Sequence, residues 1–283
     1  MKSGLTEGKF LVYSTLAIVF LMSIHLFQQE ISVIYNPKNS VGFHTLLESF
    51  SISISATIFF YGYKNFTETH SNRMLLLSFT FFLVGTLDLL HTLTFKGMPY
   101  FITESSVAKA TWFWVSARVL QSMLILFLLV VKERKVKRDY RSGVLLLSAV
   151  MTIVIASVIF YFEDKLPLLV VEGEGTTLLK NSFEYFVSFI QFISLIVVLY
   201  QYYIKKSEAK LSIALALVLL LLTDLIFTIY QSVFDFDNFS GHLFKAVGFY
   251  FILRGIYLVK TPEVSDQLEV EIHQEIRKTV NFF

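Results

Sequence analysis

The sequence predicts an all-α, polytopic membrane protein of eight helices. Of its 283 residues 55% are hydrophobic and only 16% charged, and the mean hydropathy is +0.64. Apolar stretches long enough to cross a bilayer core of about 30 Å, roughly 20 residues each, recur along the chain. This composition excludes an ordinary soluble domain.

The expected spans are 10–27, 41–62, 74–93, 108–131, 142–162, 183–203, 211–231 and 241–259. The first lacks a small-residue cleavage site before Gln28 and Gln29, so it is expected to stay as a helix. The second carries His44, Glu48, Ser51 and Ser55 at i, i+4, i+7 and i+11, on one face. The third ends in Asp88 and His91, and the fourth places Trp114, Arg118 and Gln121 together. The sixth opens with Glu184, Ser188 and Gln191. The seventh carries Asp224, Thr228 and Gln231 toward its end, and the eighth begins with His242 and Lys245. After it, residues 261–283 repeat Val264, Leu268, Ile272, Ile276 and Val280 every fourth position among acids, the pattern of an amphipathic helix that pairs with a copy of itself or with a following segment.

The short loops set the orientation. With a cytoplasmic N-terminus, the inner side receives the block "KERKVKRDYR" and most other cations, while Lys38, Lys96, Lys165 and Lys180 fall outside. The positive-inside rule therefore predicts a multi-pass protein with both termini cytoplasmic. The basic loop is explained by anionic lipid, and no nucleic-acid partner is expected. The chain has no cysteine, which removes disulfides and thiolate metal sites. Of the outer loops, "EDKLPLLVVEGEGTTLLKN" is apolar enough either to fold back as a lid or to pack on the rim.

Two tracts echo each other. "LESF" at Glu48 resembles "FEYF" at Glu184, "LDLLHT" at Asp88 resembles "TDLIFT" at Asp224, and the glutamate precedes the aspartate by 40 residues in both. Either this is chance likeness between apolar helices, or the chain is two parallel repeats of four helices.

With this topology the ionisable residues of the spans, His25 included, gather in the outer half, above an inner half of Leu, Ile, Val and Phe. Charges in a span are costly, so each is a candidate site residue. The candidates are His44, Glu48, Asp88, His91, Lys96, Arg118, Gln121, Glu184, Asp224, His242 and Lys245. His44, Glu48, Asp88, His91 and His242 could ligate a divalent metal of the zinc or copper type, and facing histidines could instead hold haem. Arg118 and Lys245 speak for an anionic or polar organic ligand, or for ion pairs with Asp88, Glu48 or Asp224 that merely fix helix register. Trp112, Trp114, Tyr100 and Phe101 read as an interfacial aromatic belt. No polar lining continues to the inner side, which argues against a channel or transporter. "IHQEIRKT" is a poor match to a phospho-accepting histidine box, and no Gly-rich phosphate loop is present.

The motifs "FHTLLESFSI", "VGTLDLLHTLTFKGM", "WFWVSARVLQS", "VEGEGTTLLKNSFEY" and "GHLFKAVGFYFILRGIY" resemble, in order, those of the MASE3 family. These are membrane-associated sensory domains at the N-termini of bacterial histidine kinases, diguanylate cyclases and related proteins. The family pattern lies over His44, Glu48, Asp88, His91, Lys96, Gly97, Met98, Arg118, Glu184, His242 and Lys245. Gln121 stands where an acid often occurs, and "GEGTTLLK" is a looser form of its segment. The resemblance implies a non-enzymatic membrane sensor over residues 1–260, in the bacterial inner membrane, with an unidentified small ligand or ion. Residues 261–283 would form a cytoplasmic signalling helix and homodimer contact. The competing reading is a metal- or haem-dependent membrane redox protein or enzyme acting on a lipid-like or quinone-like substrate.

Overall fold

The computed structural model describes residues 4–258; the tail 261–283, with its expected dimer helix, lies outside the described residues. The helices are α1 (Glu7–Leu26), the short α2 (Gln28–Ile34), α3 (Ser40–Thr69), α4 (Asn72–Thr94), α5 (Val107–Val130), α6 (Arg141–Tyr161), α7 (Leu178–Lys205), α8 (Glu208–Ile226) and α9 (Phe236–Leu258). Seven helical stretches among the described residues are long and apolar enough to cross a membrane, namely α1, α3 with the turn before it, and α4 to α8. The expected eighth span corresponds to α9, as long as α4 but, with His242, Lys245 and Arg254 in it, less apolar than the seven. The chain is a polytopic all-α membrane domain.

Side-chain caps fix several helix starts. Thr6, Ser71, Ser106 and Thr177 accept hydrogen bonds from the backbone N–H groups of Lys9, Arg73, Lys109 and Lys180. The largest departure from the sequence reading lies between the last two helices. α8 stops at Ile226, not near 231, and α9 starts at Phe236. The reason is Asp235, whose carboxylate accepts from the backbone N–H groups of Gln231, Ser232 and Asn238 at 3.0, 3.1 and 2.8 Å, a better acceptor for those groups than another helical turn would supply. Thr228 and Gln231 consequently sit beyond the helix.

Six helices close a ring in the order α3, α4, α5, α7, α8, α9 and back to α3. Outside it, α6 packs on α4 and α1 packs on α8, both mostly exposed; α4 and α8 are the most buried. Exchange α1, α3, α4, α5 with α6, α7, α8, α9, and the order of the ring and the placing of the two outer helices are unchanged, although α6 also touches α5. Each set thus sends its first helix across to the third helix of the other.

Close approach is built with glycine. A Cβ on Gly62 of α3 would lie 2.8 Å from the Met74 carbonyl of α4, and one on Gly255 of α9 would lie 3.0 Å from the Ala209 carbonyl of α8. One end of the ring is filled by Ile58, Phe81, Ile125, Leu217, Phe249 and Ile252 with their neighbours, an apolar plug. The other end holds the polar residues. The 163–177 loop covers that end: a two-residue hairpin, Val170–Val171 with Gly175–Thr176, carries Leu169 and Val170 into a cluster with Ala110, Trp114, Phe227 and Tyr230. Of the two readings of this loop, the structure has the one that folds back over the bundle.

Candidate functional site

The periodicity of α3 puts His44, Glu48, Ser51 and Ser55 on its buried face. Opposite stand Asp88 and His91 in the last turns of α4, Arg118 and Gln121 on α5, and His242 and Lys245 on α9, all buried. Glu48 receives Lys245 Nζ on both oxygens, at 2.8 and 2.7 Å, and is 2.6 Å from His242 Nδ1. Lys245 also lies 3.0 Å from Asp88, whose other oxygen accepts from Arg118 at 2.6 Å. Arg118 in turn donates to the Gln121 side-chain oxygen. One unbroken chain of charge therefore links α3, α4, α5 and α9. In a low-dielectric interior such pairing is the condition for burying charge at all.

Above it the histidines meet. His44 and His91 approach Nε2 to Nε2 at 3.0 Å, His91 Nδ1 lies 2.7 Å from the Ala110 carbonyl, and His44 stacks on Phe95 with ring centroids 3.7 Å apart. One ligand atom from each of His44, Glu48, His91 and His242 falls within 4.8 Å of the others. Asp88 is not in that group, because Arg118 and Lys245 occupy its oxygens; the expected metal set is reduced by one.

A second cluster lies across the ring. Lys180 pairs with Glu184 at 2.9 Å and donates to the Phe227 carbonyl, capping the end of α8. Glu184 accepts from Trp114 Nε1 at 3.2 Å. Asp224 is buried beside Glu184, Arg118, Lys180 and Gln191, and among the described residues no cation stands in salt-bridge contact with it, as Lys180 does with Glu184.

Trp114 joins the two clusters. Its ring packs against His91 and His242, with centroids 5.5 and 5.1 Å away, and both Arg118 and Lys245 lie 4.9 Å from its centre. The expectation that it belongs to an interfacial belt is overturned: the 163–177 hairpin and Phe227 cover it, whereas Tyr100 and Phe101 are exposed. Lys180, read from sequence as a loop cation, is the other residue missed. Its signal was the i, i+4 spacing to Glu184, and the extension of α7 back to Leu178 brings it inside.

Two polar residues stay outside the cluster. His25 is exposed on α1, in a groove with Leu225 and Ile229. Lys96 follows the end of α4, and its ammonium pairs with Glu172 at the surface. Gly97 makes that turn with φ of 98°, where a Cβ would also press within 3.0 Å of Val41. Lys96 nevertheless lines a narrow cleft, with a cavity volume of about 20 Å³, that Tyr230, Lys180, His91 and His242 also line.

A covered, charge-paired pocket at one end of a helical ring whose other end is apolar is the architecture of a membrane-embedded receptor-like domain. The model of the MASE3 family, membrane-associated sensor domain, matches residues 35–261, and the chain belongs to that family. Comparison with curated proteins and with solved structures gave no match.

Proposed function

We propose that this domain is the sensory input of a bacterial signal-transduction protein such as a histidine kinase or diguanylate cyclase, and that the buried polar cluster binds its ligand or ion from the extracytoplasmic side. The observation that carries the reading is the double role of α9. It supplies His242 and Lys245 to the cluster, packs along α8 and α3, and leads directly toward the C-terminal segment. A change in how Lys245 is shared between Glu48 and Asp88 alters the contact between α9 and α3, α4 at once. A ligand does this only through different affinity for the two packings.

The test grafts the domain onto a reporter kinase in an inner membrane. Glu48→Gln, Asp88→Asn and His91→Ala are expected to shift basal output or the stimulus response by about 5- to 150-fold, the usual range of coupling between sites. Unchanged basal output and intact responses in all three variants would end this reading.

A further inference from the structure

We propose that His44, His91 and His242 bind a transition-metal ion of the zinc or copper class through their imidazoles, with Glu48 orienting His242 from behind. This rests on the reading of the cluster as the sensing site and names what that site takes.

Convergence is the first argument. Three histidines from α3, α4 and α9 place their rings 4.5 to 5.8 Å apart, centroid to centroid. Metal–nitrogen bonds of about 2.0–2.1 Å in a tetrahedral site set ligand nitrogens about 3.3 Å apart. The 3.0 Å approach of His44 and His91 is close to that spacing. It also leaves no slot for a porphyrin plane between them.

The outer partners point the same way. A metal-bound histidine needs its second nitrogen held by an oxygen acceptor, which fixes the tautomer and aims the lone pair. His91 Nδ1 has the Ala110 carbonyl and His242 Nδ1 has Glu48, so both can present Nε2 inward. A purely structural packing explains this less well, because it puts three polar rings where apolar ones would fill the space at lower cost.

Charge permits the ion. The joined clusters hold four buried carboxylates, Glu48, Asp88, Glu184 and Asp224, against three buried cations, Arg118, Lys180 and Lys245. With neutral imidazoles these charges lie near balance, and Lys245 is already engaged by Glu48 and Asp88. Without cysteine the donor set is imidazole, which suits zinc and copper. His91 and His242 also line the cleft, which gives the ion its way in.

The full chain, purified in detergent without chelator, is analysed for metals and titrated separately with Zn(II), Cu(II) and Co(II), the last for its visible absorption bands. One equivalent of zinc or copper per chain and a 1:1 Co(II) spectrum are expected. Both should be lost in His91→Ala and His242→Gln and kept in Asp139→Asn at the opposite end. Glu48→Gln should bind about 10- to 100-fold more weakly, the usual cost of removing an orienting partner. If His91→Ala does not fold, His242→Gln and Glu48→Gln decide. Absence of stoichiometric binding, or binding unaffected by those two variants, overturns the site. If no metal binds while the output of the grafted reporter still responds to Glu48→Gln, the sensor reading stands and the metal falls. Binding with unaltered output would leave the metal and remove the sensor reading.

Discussion

Glu48 with Asp88 and Glu184 with Asp224 occupy matching places in the two helix sets, yet their charges are met differently. The first pair shares Lys245, and Arg118 and His242 complete it. In the second, Lys180 pairs with Glu184, while among the described residues no cation forms a salt bridge with Asp224. One framework has thus produced a half whose two carboxylates both meet close cations, beside the histidines, and a half in which only one of the two does. A buried carboxylate with partners holds helices together; one without them is free to change state when something else in the pocket does.

The strongest attack on this comparison is Lys245→Met, which strands two buried carboxylates. A loss of about 3–5 kcal/mol is expected in reversible unfolding in detergent micelles, partly recovered by adding Glu48→Gln in a double-mutant cycle. Should Lys180→Met cost as much, the halves are equivalent and the contrast disappears. Next, Asp88→Asn should cost about 3 kcal/mol because it leaves Arg118 underpaired. Asp224→Asn should fall within about 1 kcal/mol of the parent, having no close ion pair to lose. Equal losses for the two would show that Asp224 has partners of equal strength.

Gly255→Ala sharpens the packing side of the argument. Its methyl would meet the Ala209 carbonyl and Ile213, so about 1–3 kcal/mol should be lost as α8 and α9 separate. A neutral result would mean that this seam is looser than its geometry. The smallest effect belongs to Lys96→Ala. Its partner Glu172 is 68% exposed, and no more than about 1 kcal/mol is expected by thermal melting in the same detergent.

Residue order alone determined that the chain is helical and membrane-spanning, where seven of the apolar stretches lie, and that almost every ionisable residue within the stretches gathers toward one end. Hydropathy length and the 3.6-residue period are local properties, and they survive whatever the helices pack against. They also placed His44, Glu48, Asp88, His91, Arg118, His242 and Lys245 as candidates that the fold does bring together. Tertiary structure alone decided who pairs with whom. Which cation neutralises Asp88, why Trp114 faces histidines and not lipid, how Lys180 comes inside, and why α8 ends five residues early all depend on ring order and on a loop folded over the top. Those are contacts between residues as much as 197 positions apart in the chain, as between Glu48 and Lys245, and no periodicity within a helix encodes them.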